Sequence, residues 1–587
     1  GERLEMVYPN GSKVSYGYDS LYRLSSVTDE VGTTKYRYNE KGKLEQKSYP
    51  NGMETLYGYT EKGRLASFIH QDEVGVLDAY KYSYDIQGNK VEIEKTRRGV
   101  EAESGVYGYG YDELQRLMEV RKDGSILRSY RYDALGNRSQ SMETGKTRSH
   151  YVYNALNQLI SKVDMGIEGE QRNGSLANEE RYSYDKRGNL TEVIKNGNLV
   201  NQYHFGALNR LEKAVNHESG EASIYQYNGL GHRVGRTVGA SIEPMLPTDK
   251  LEQLTINPTK QIEDTIDLTK QYHNLLQRTE GSNITAYTWD SNVLHVVVEG
   301  TSSSYQYLRD ELGSPIRLID EDDIEQEVYG YDEFGEEILG NNQVYLQPFT
   351  YTGYQRDDVT NTYFAQAREY SAKMGRFTGE DSHYYIRIRD VRTINKYVYC
   401  MSNSMNRIDP DGFDSYVFYD PEDFPDAANS ERRRLEKKYN EDVHMIPIET
   451  KEEFQREWNG ITDGNVDEIS LLFHGQPHAL ILNEEKREYL TTNNNGITNR
   501  NNPAMAISSL DATNQIEKIN IWSCNTGHLD HANNVATSFL ETQNVGAVVS
   551  SDGSLVYNKQ YGIRDYGFGL YVPGLAFNQV DFKNATR

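Results

Sequence analysis

Tyr16-Gly17-Tyr18-Asp19-Ser20-Leu21-Tyr22-Arg23-Leu24 decides the fold, because its pattern returns along most of the chain. The unit reads aromatic, any residue, aromatic, Asp or Asn, a short turn, then a basic or amide residue and Leu. It recurs as Tyr36-Arg37-Tyr38-Asn39 with Gly42-Lys43-Leu44, and further copies centre on Tyr59, Tyr84, Tyr111, Tyr132, Tyr153, Tyr184, Phe205 and Tyr227. The step is mostly about 20 to 22 residues, a period that marks an array of supersecondary units. Tyrosines at i and i+2 share one face of a strand. Asp or Asn followed by Gly supplies turn chemistry, since these residues tolerate left-handed backbone angles. A second strand starts at Arg-Leu. Each unit is therefore a β-hairpin that cannot bury its own face. Stacked neighbours must do so, which predicts a long, spiralling antiparallel sheet.

Composition agrees. A chain of 587 residues exceeds one ordinary core and calls for at least two folding units. Only 36% of it is hydrophobic, yet it holds 47 tyrosines, each a large apolar ring with a polar tip that suits strands. The formal net charge of -25, from 88 acidic and 63 basic residues, argues against nucleic acid as a partner, because counterion release needs a basic surface. Cys400 and Cys524 are the only cysteines, which excludes a disulfide-rich scaffold. No apolar run is long enough to span a bilayer. Gly1 falls inside the repeat pattern, so the expectation is a piece of a longer protein.

The tyrosine units resemble the YD repeats of Rhs proteins, of the shell-forming subunits of insecticidal toxin complexes, and of teneurins. The likeness continues through Tyr307-Leu308-Arg309-Asp310-Glu311-Leu312-Gly313 and Tyr329-Gly330-Tyr331-Asp332-Glu333-Phe334-Gly335. It runs on through Tyr363-Phe364-Ala365-Gln366-Ala367-Arg368-Glu369-Tyr370 and closes at Asn395-Lys396-Tyr397-Val398-Tyr399 and Asp409-Pro410-Asp411-Gly412. The fold class expected is mainly β: a YD-repeat β-hairpin shell over residues 1–240, an insert within it over 241–300, and an Rhs core domain over 301–412. A C-terminal effector domain, an α/β sandwich with a mostly parallel sheet, follows over 413–587. The resemblance implies a hollow shell that encloses and delivers the effector, with an upstream segment completing the wall. It implies a secreted or cell-surface protein, an immunity protein or secretion-system component as partner, and a protein substrate in a target cell.

In many Rhs relatives an aspartate-dependent autoproteolysis follows a Pro-x4-Asp-Pro-x-Gly-Leu motif. Here Asp409-Pro410-Asp411-Gly412-Phe413 keeps the second half, Ser404 stands in place of the Pro, and Asp381 is the candidate partner carboxylate. Two nearby carboxyls sharing one proton suit that chemistry. The resemblance then implies cleavage between Phe413 and Asp414. Sequence alone leaves this beside the simpler reading of Asp-Pro-Asp-Gly as a closing turn.

After Gly412 helix signals alternate with short apolar strands. Ser415 to Tyr419, Val443 to Ile448, Ile469 to Phe473, Ile519 to Trp522 and Ala547 to Val549 read as strands. Ala427 to Tyr439 and Asn533 to Glu541 read as helices, and Thr450-Lys451-Glu452-Glu453 is a capping box opening another through Trp458. Such alternation predicts a mostly parallel sheet. Ile469-Ser470-Leu471-Leu472-Phe473-His474-Gly475 and Ile519-Asn520-Ile521-Trp522-Ser523-Cys524 place His474 and Cys524 at strand ends, where open α/β sheets carry their sites. The pair resembles the caspase-like (clan CD) cysteine peptidases. That resemblance implies Cys524 as nucleophile, His474 as proton carrier, and an oxyanion hole from the backbone N–H groups of Gly475 and Cys524. Cys524, His528 and His531 also have spacings that suit three metal ligands, but with no fourth ligand evident neither metal nor cofactor is expected. Two other readings stay open: a non-catalytic binding or plug domain, and a different enzymatic toxin on the same α/β frame.

Overall fold

The computed structural model describes the chain apart from residues 1–2, 147, 167–177, 230, 243–245, 269–273, 300–302, 323, 340–346, 381–394, 410–413, 440–442, 460–465, 477, 484–485, 487, 493–497, 500–501, 511–515, 522, 524–533, 544, 552–555, 559–561, 565–578 and 584–587. Packing divides it into two compact units, one of residues 1–379 with 397–408, the other of residues 380–396 with 409–587.

The first unit is built on a 28-stranded antiparallel sheet running from Glu5–Val7 to Glu325–Val328. Each strand pairs with the next in sequence, as Lys13–Tyr18 does with Leu24–Thr28 and then Leu24–Thr28 with Thr33–Tyr38. Residues of the expected insert continue this meander: Ile256–Asp267 pairs on both sides, with Arg233–Ser241 and with Asn274–Glu280.

One repeat shows why the sequence pattern has its form. Asp19 Oδ1 accepts from the backbone N–H of Leu21 at 2.9 Å and of Arg23 at 3.0 Å, which closes the turn. Its other oxygen holds Arg23 Nε at 2.7 Å, and the guanidinium lies 4.4 Å over the ring of Tyr38 in the following repeat. Asp112, Arg116 and Tyr132 repeat the arrangement, with 2.7 Å and 4.9 Å. In many units the second tyrosine then donates its hydroxyl back to a backbone carbonyl at the start of the preceding unit's second strand. Tyr38 reaches Leu24, Tyr59 reaches Leu44, Tyr132 reaches Leu117 and Tyr227 reaches Leu211, all at 2.7–2.8 Å. Trp289 makes the same strut to Leu275 through its indole N–H at 2.7 Å. Burial pushes the Tyr132 phenol up to about 12, so the hydroxyl keeps its proton and remains a donor. At these tyrosines the strand register slips by one residue: Gly17 faces Ser26, but Tyr18 faces Leu24. Such bulges sharpen local twist and re-aim the side chain.

The first tyrosine of several units points elsewhere. Tyr36 donates to Asp290 at 2.8 Å, Tyr82 to Glu311 at 2.7 Å, Tyr130 to Glu333 at 3.1 Å and Tyr225 to Asp357 at 2.8 Å. Each of these carboxylates also meets a cation from a strand of the meander, Lys47 at 2.5 Å, Lys90 at 2.6 Å, Arg128 at 3.0 Å and Arg236 at 2.5 Å respectively. Burial opposes the charge on Asp290, yet Lys47 and Arg309 outweigh it and bring the carboxyl down to about 2. Hairpins of the meander are therefore tied to the segment 290–357 through tyrosine rings that bracket paired charges. Asp78 is the most enclosed of these carboxylates, fully buried between Arg97 at 3.0 Å and Arg317 at 2.6 Å. Strands Gln355–Asp357, Thr362–Ala365, Arg368–Ser371 and Arg376–Phe377 form a separate four-stranded sheet within this unit, around a cluster of Tyr351, Tyr354, Tyr370, Phe377 and Tyr399.

The second unit holds a six-stranded sheet of β1 (Asp414–Tyr419), β2 (Val443–Pro447), β3 (Val466–Leu472), β4 (Ile516–Ile521), β5 (Val545–Ser551) and β6 (Gln579–Lys583), in the order 2-1-3-4-5-6. The first five are parallel and β6 is antiparallel to β5. Helices α1 (Pro425–Tyr439), α2 (Lys451–Asn459) and α3 (Val535–Thr542) connect them. The capping box of α2 is formed: Thr450 Oγ1 accepts from the Glu453 N–H, and Glu453 Oε2 accepts from the Thr450 N–H, both at 3.2 Å. The core gathers Phe418, Phe454, Trp458, Ile469, Phe473 and Phe539, with Phe454 and Trp458 stacked at 5.6 Å.

Two predictions follow from the core of the repeat unit. Arg317→Met leaves the Asp78 carboxylate buried with one cation fewer and should cost about 3–5 kcal/mol, whereas Tyr132→Phe removes one strut and should cost about 1 kcal/mol; guanidinium unfolding followed by tyrosine fluorescence ranks them. The second concerns His70, which is buried between the Thr55 hydroxyl and the Arg309 carbonyl, both at 2.8 Å, and whose imidazole burial pushes down to about 4. Between about pH 6.5 and pH 4 the unfolded chain binds a proton that the fold excludes. The contribution of this neutral imidazole is thus complete above about pH 6.5 and falls by roughly 3 kcal/mol as the pH drops to about 4. Unfolding midpoints of His70→Gln should lack this part of the pH dependence.

Candidate active site at the carboxyl edge of the second unit's sheet

In the order 2-1-3-4-5-6 the connections leave β1 and β3 in opposite directions, and ligands bind open α/β sheets at such a switch point, beyond the carboxyl ends of the strands. His474 stands there. β3 ends at Leu472, Phe473 is buried, and His474 opens a short strand, His474–Gln476, paired antiparallel with Ala479–Asn483. Gly475 is opposite Leu480 in that pair. The imidazole is 46% exposed, so it is reachable from solvent.

The loop after β1 meets it. Asp420, itself buried, accepts from the N–H of Glu422 at 2.9 Å and of Asp423 at 3.4 Å, while its own N–H reaches the Leu472 carbonyl at 3.1 Å. The Phe424 N–H donates to the Asp420 carbonyl at 3.0 Å and Pro425 starts α1, where a missing N–H costs nothing. This clamped turn presents Asp423 Oδ2 at 3.2 Å from His474 Nε2, and the Phe424 ring edge-on at 4.9 Å from the imidazole.

On the other side, β3 and β4 are parallel neighbours, with Leu471 opposite Ile521. Ser523, buried after β4, donates its hydroxyl to the Phe473 carbonyl at 2.6 Å. The residue before His474 and the residue before Cys524 are thereby hydrogen-bonded to each other. Cys524 lies outside the described residues, as do His528 and His531, the other two members of the candidate metal set. Among the described residues no cluster of His, Cys, Asp and Glu has the makings of a metal site.

Beneath this edge the strands are tied by a buried polar network. Glu468 of β3 takes hydrogen bonds from Asn520 of β4 and from Arg434 of α1. Arg434 also chelates Glu431 at 2.7 and 2.8 Å, and Ser470 donates to Glu431 at 2.6 Å. Every charge is paired, which is the condition for burying such groups without a large penalty.

At the junction, Asp381, Asp411 and Phe413 lie outside the described residues. Asp409 is described but belongs to no strand or helix, and Asp414 is the first residue of β1, opposite Val466. Ser404, at the position of the motif's proline, is fully buried in the repeat unit and its hydroxyl donates to the Glu333 carbonyl. Asp423 and Phe424 escaped the reading of the sequence. Their signal was the run Asp420-Pro421-Glu422-Asp423-Phe424-Pro425, a proline-bounded acidic turn directly after the first strand of a parallel sheet.

The repeat region has clear counterparts among known proteins. Residues 79–233 match the teneurin YD-shell family model. Residues 1–34 match the RHS repeat model. Within the long meander, two stretches are thus similar to known Rhs and YD-shell repeats. Over 319 residues the chain is 26% identical to the tRNA3(Ser)-specific nuclease WapA of Bacillus spizizenii, a stretch that makes up 51% of this chain and 12% of that protein. Over 307 residues it is 25% identical to the toxin protein Tse5 of Pseudomonas aeruginosa, 46% of this chain and 23% of that one. The chain therefore spans less than a quarter of the length of these relatives. Among solved structures the Photorhabdus luminescens Tc holotoxin pore is similar over 70% of this chain and 21% of its own, with a TM-score of 0.48 and 16% identity. Among the described residues no helix is long and apolar enough to cross a membrane.

Proposed function

We propose that the chain is an Rhs-type toxin in which the YD-repeat shell encapsulates and delivers the C-terminal unit, and that this unit is a caspase-like cysteine protease using His474 and Cys524. The observation that carries the reading is the hydrogen bond from Ser523 to the Phe473 carbonyl across two central parallel strands, since it joins the positions directly before the two residues. The thiol proton of Cys524 passes to His474, the thiolate attacks a peptide carbonyl, and the same proton leaves on the departing amine. Water then hydrolyses the thioester. The caspase-like reading assigns the oxyanion hole to the backbone N–H groups of Gly475 and Cys524.

A second reading, a nuclease effector, is favoured by the activity named for the Bacillus relative. The two separate cleanly. A protease needs both residues, and His474→Ala and Cys524→Ala should each abolish toxicity in cells expressing the chain, with loss of about 10²-fold or more in turnover. A nuclease using His474 tolerates Cys524→Ala, and retained toxicity in that variant would overturn the protease reading.

Release of the effector belongs to the same proposal. With Asp409 and its candidate partner Asp381 supplying the carboxyl pair, the purified chain should be cut between Phe413 and Asp414, and Asp409→Asn should stay whole. Mass spectrometry reads both, and an uncut wild-type chain refutes self-cleavage.

A further inference from the structure

We infer that Lys95 is a carbonyl-binding site of the repeat unit, an amine nucleophile at the wall of a small cavity that forms a Schiff base with small aldehydes. The cavity arises where the repeat pattern lapses. Tyr82 and Tyr130, the first tyrosines of their units, reach Glu311 and Glu333. Tyr109 is the first tyrosine of the unit between them. It is 6% exposed, yet its hydroxyl has no hydrogen-bond partner among the described residues. It lines a cavity of about 70 Å³, partly open to solvent, whose walls also include Tyr80, Lys95, Asp310 and Asp332. Tyr80 is 5% exposed, and its hydroxyl too lacks a partner among the described residues.

Lys95 stands directly opposite Tyr80 in the ladder between strands Gly75–Tyr84 and Lys90–Arg97, which makes ammonium and phenol neighbours on one face. The other enclosed lysines of the meander are neutralised: Lys47, Lys90 and Lys162 meet carboxylates at 2.5, 2.6 and 3.3 Å. Lys95 has no ion pair or hydrogen bond among the described residues, and its Nζ lies 4.2 Å from the centre of the Tyr107 ring. Burial pushes this ammonium down against the charges of Glu103, Glu333 and Glu311, which favours the free amine that attacks carbonyls. Burial also pushes the Asp310 and Asp332 carboxyls up, helped by the charges of Glu311 and Glu333 respectively, so each keeps a proton to higher pH than an exposed aspartate. Amine, phenols and proton-bearing carboxyls thus line one space. Since roughly 150 Å³ accommodates benzene, this space admits an aldehyde of about three or four heavy atoms.

The step balances. The amine nitrogen bonds to the carbonyl carbon while Tyr80 and Tyr109 donate to the carbonyl oxygen, and one nitrogen hydrogen moves to that oxygen. A proton from Asp310 or Asp332 then lets the hydroxyl leave as water. The second nitrogen hydrogen returns to the carboxylate, and the imine remains. The test treats the full chain with acetaldehyde and cyanoborohydride at neutral pH, which turns each imine into a stable N-ethyl-lysine, and follows every lysine by peptide mass spectrometry. Lys95 should be labelled about tenfold or more faster than the exposed Lys41 and Lys62. In guanidinium the preference should vanish, and benzaldehyde, too large for the cavity, should not show it. Labelling of Lys95 no faster than of Lys41 overturns the inference. So does a preference that survives unfolding or is shared by benzaldehyde, because the cavity would then play no part.

Discussion

The phenol that reaches back to a backbone carbonyl of the preceding hairpin is the interaction on which the repeat unit depends. A hairpin alone would leave the outer tyrosine hydroxyl and part of its ring in water. The neighbour supplies an acceptor for the first and a guanidinium or ammonium over the second, as Leu24 and Arg23 do for Tyr38. The register slip at each second tyrosine belongs to the same arrangement, because it turns that ring out of the strand's alternation and along the sheet towards the earlier unit. Aspartate serves twice, closing its own turn and holding the arginine that covers the next ring. The sequence pattern is the list of these obligations.

Local obligations can be read from sequence, and the hairpins were legible for that reason. Tyr36 and Tyr38 occupy equivalent places in the pattern, yet one is tied to Asp290 and the other to Leu24. Nothing in the spacing separates them. The bulge does, by sending the two rings in different directions at the tyrosine next to the turn. The carboxylates that meet the first tyrosines sit about 130 to 250 residues away in sequence, beyond the reach of periodicity. For the same reason the region taken for an insert, residues 241–300, reads as a break in the tyrosine rhythm while its strands continue the ladder: Trp289 takes the place of a tyrosine and makes the same strut through nitrogen.

In the second unit the apolar runs gave away the five parallel strands but not β6, and capping chemistry gave away α2 to within a residue. His474 was visible because a histidine directly after a buried strand breaks an apolar run. Asp423 was not, since acidic residues are common in turns and its partner lies 51 positions on. It becomes recognisable only once the strand order is known, because β1 and β3 are neighbours in space and not in sequence. Glu468 and Asn520 were hidden in another way: charged and amide residues inside apolar strands look like interruptions, although here, with Arg434 of α1, they lock that helix onto β3 and β4.

Every strut described above points the same way, from a later repeat to an earlier one. The sheet therefore has a direction of growth. As the chain leaves the ribosome, the second tyrosine of each new hairpin finds its acceptor and its covering cation already in place on the hairpin made before it, whereas the first tyrosine waits for a later carboxylate. Assembly can run vectorially, with each unit templating its successor. Unravelling is asymmetric for the same reason: loss of the newest unit deprives its predecessor only of a donor, whereas loss of the oldest strips its successor of acceptor and cation together.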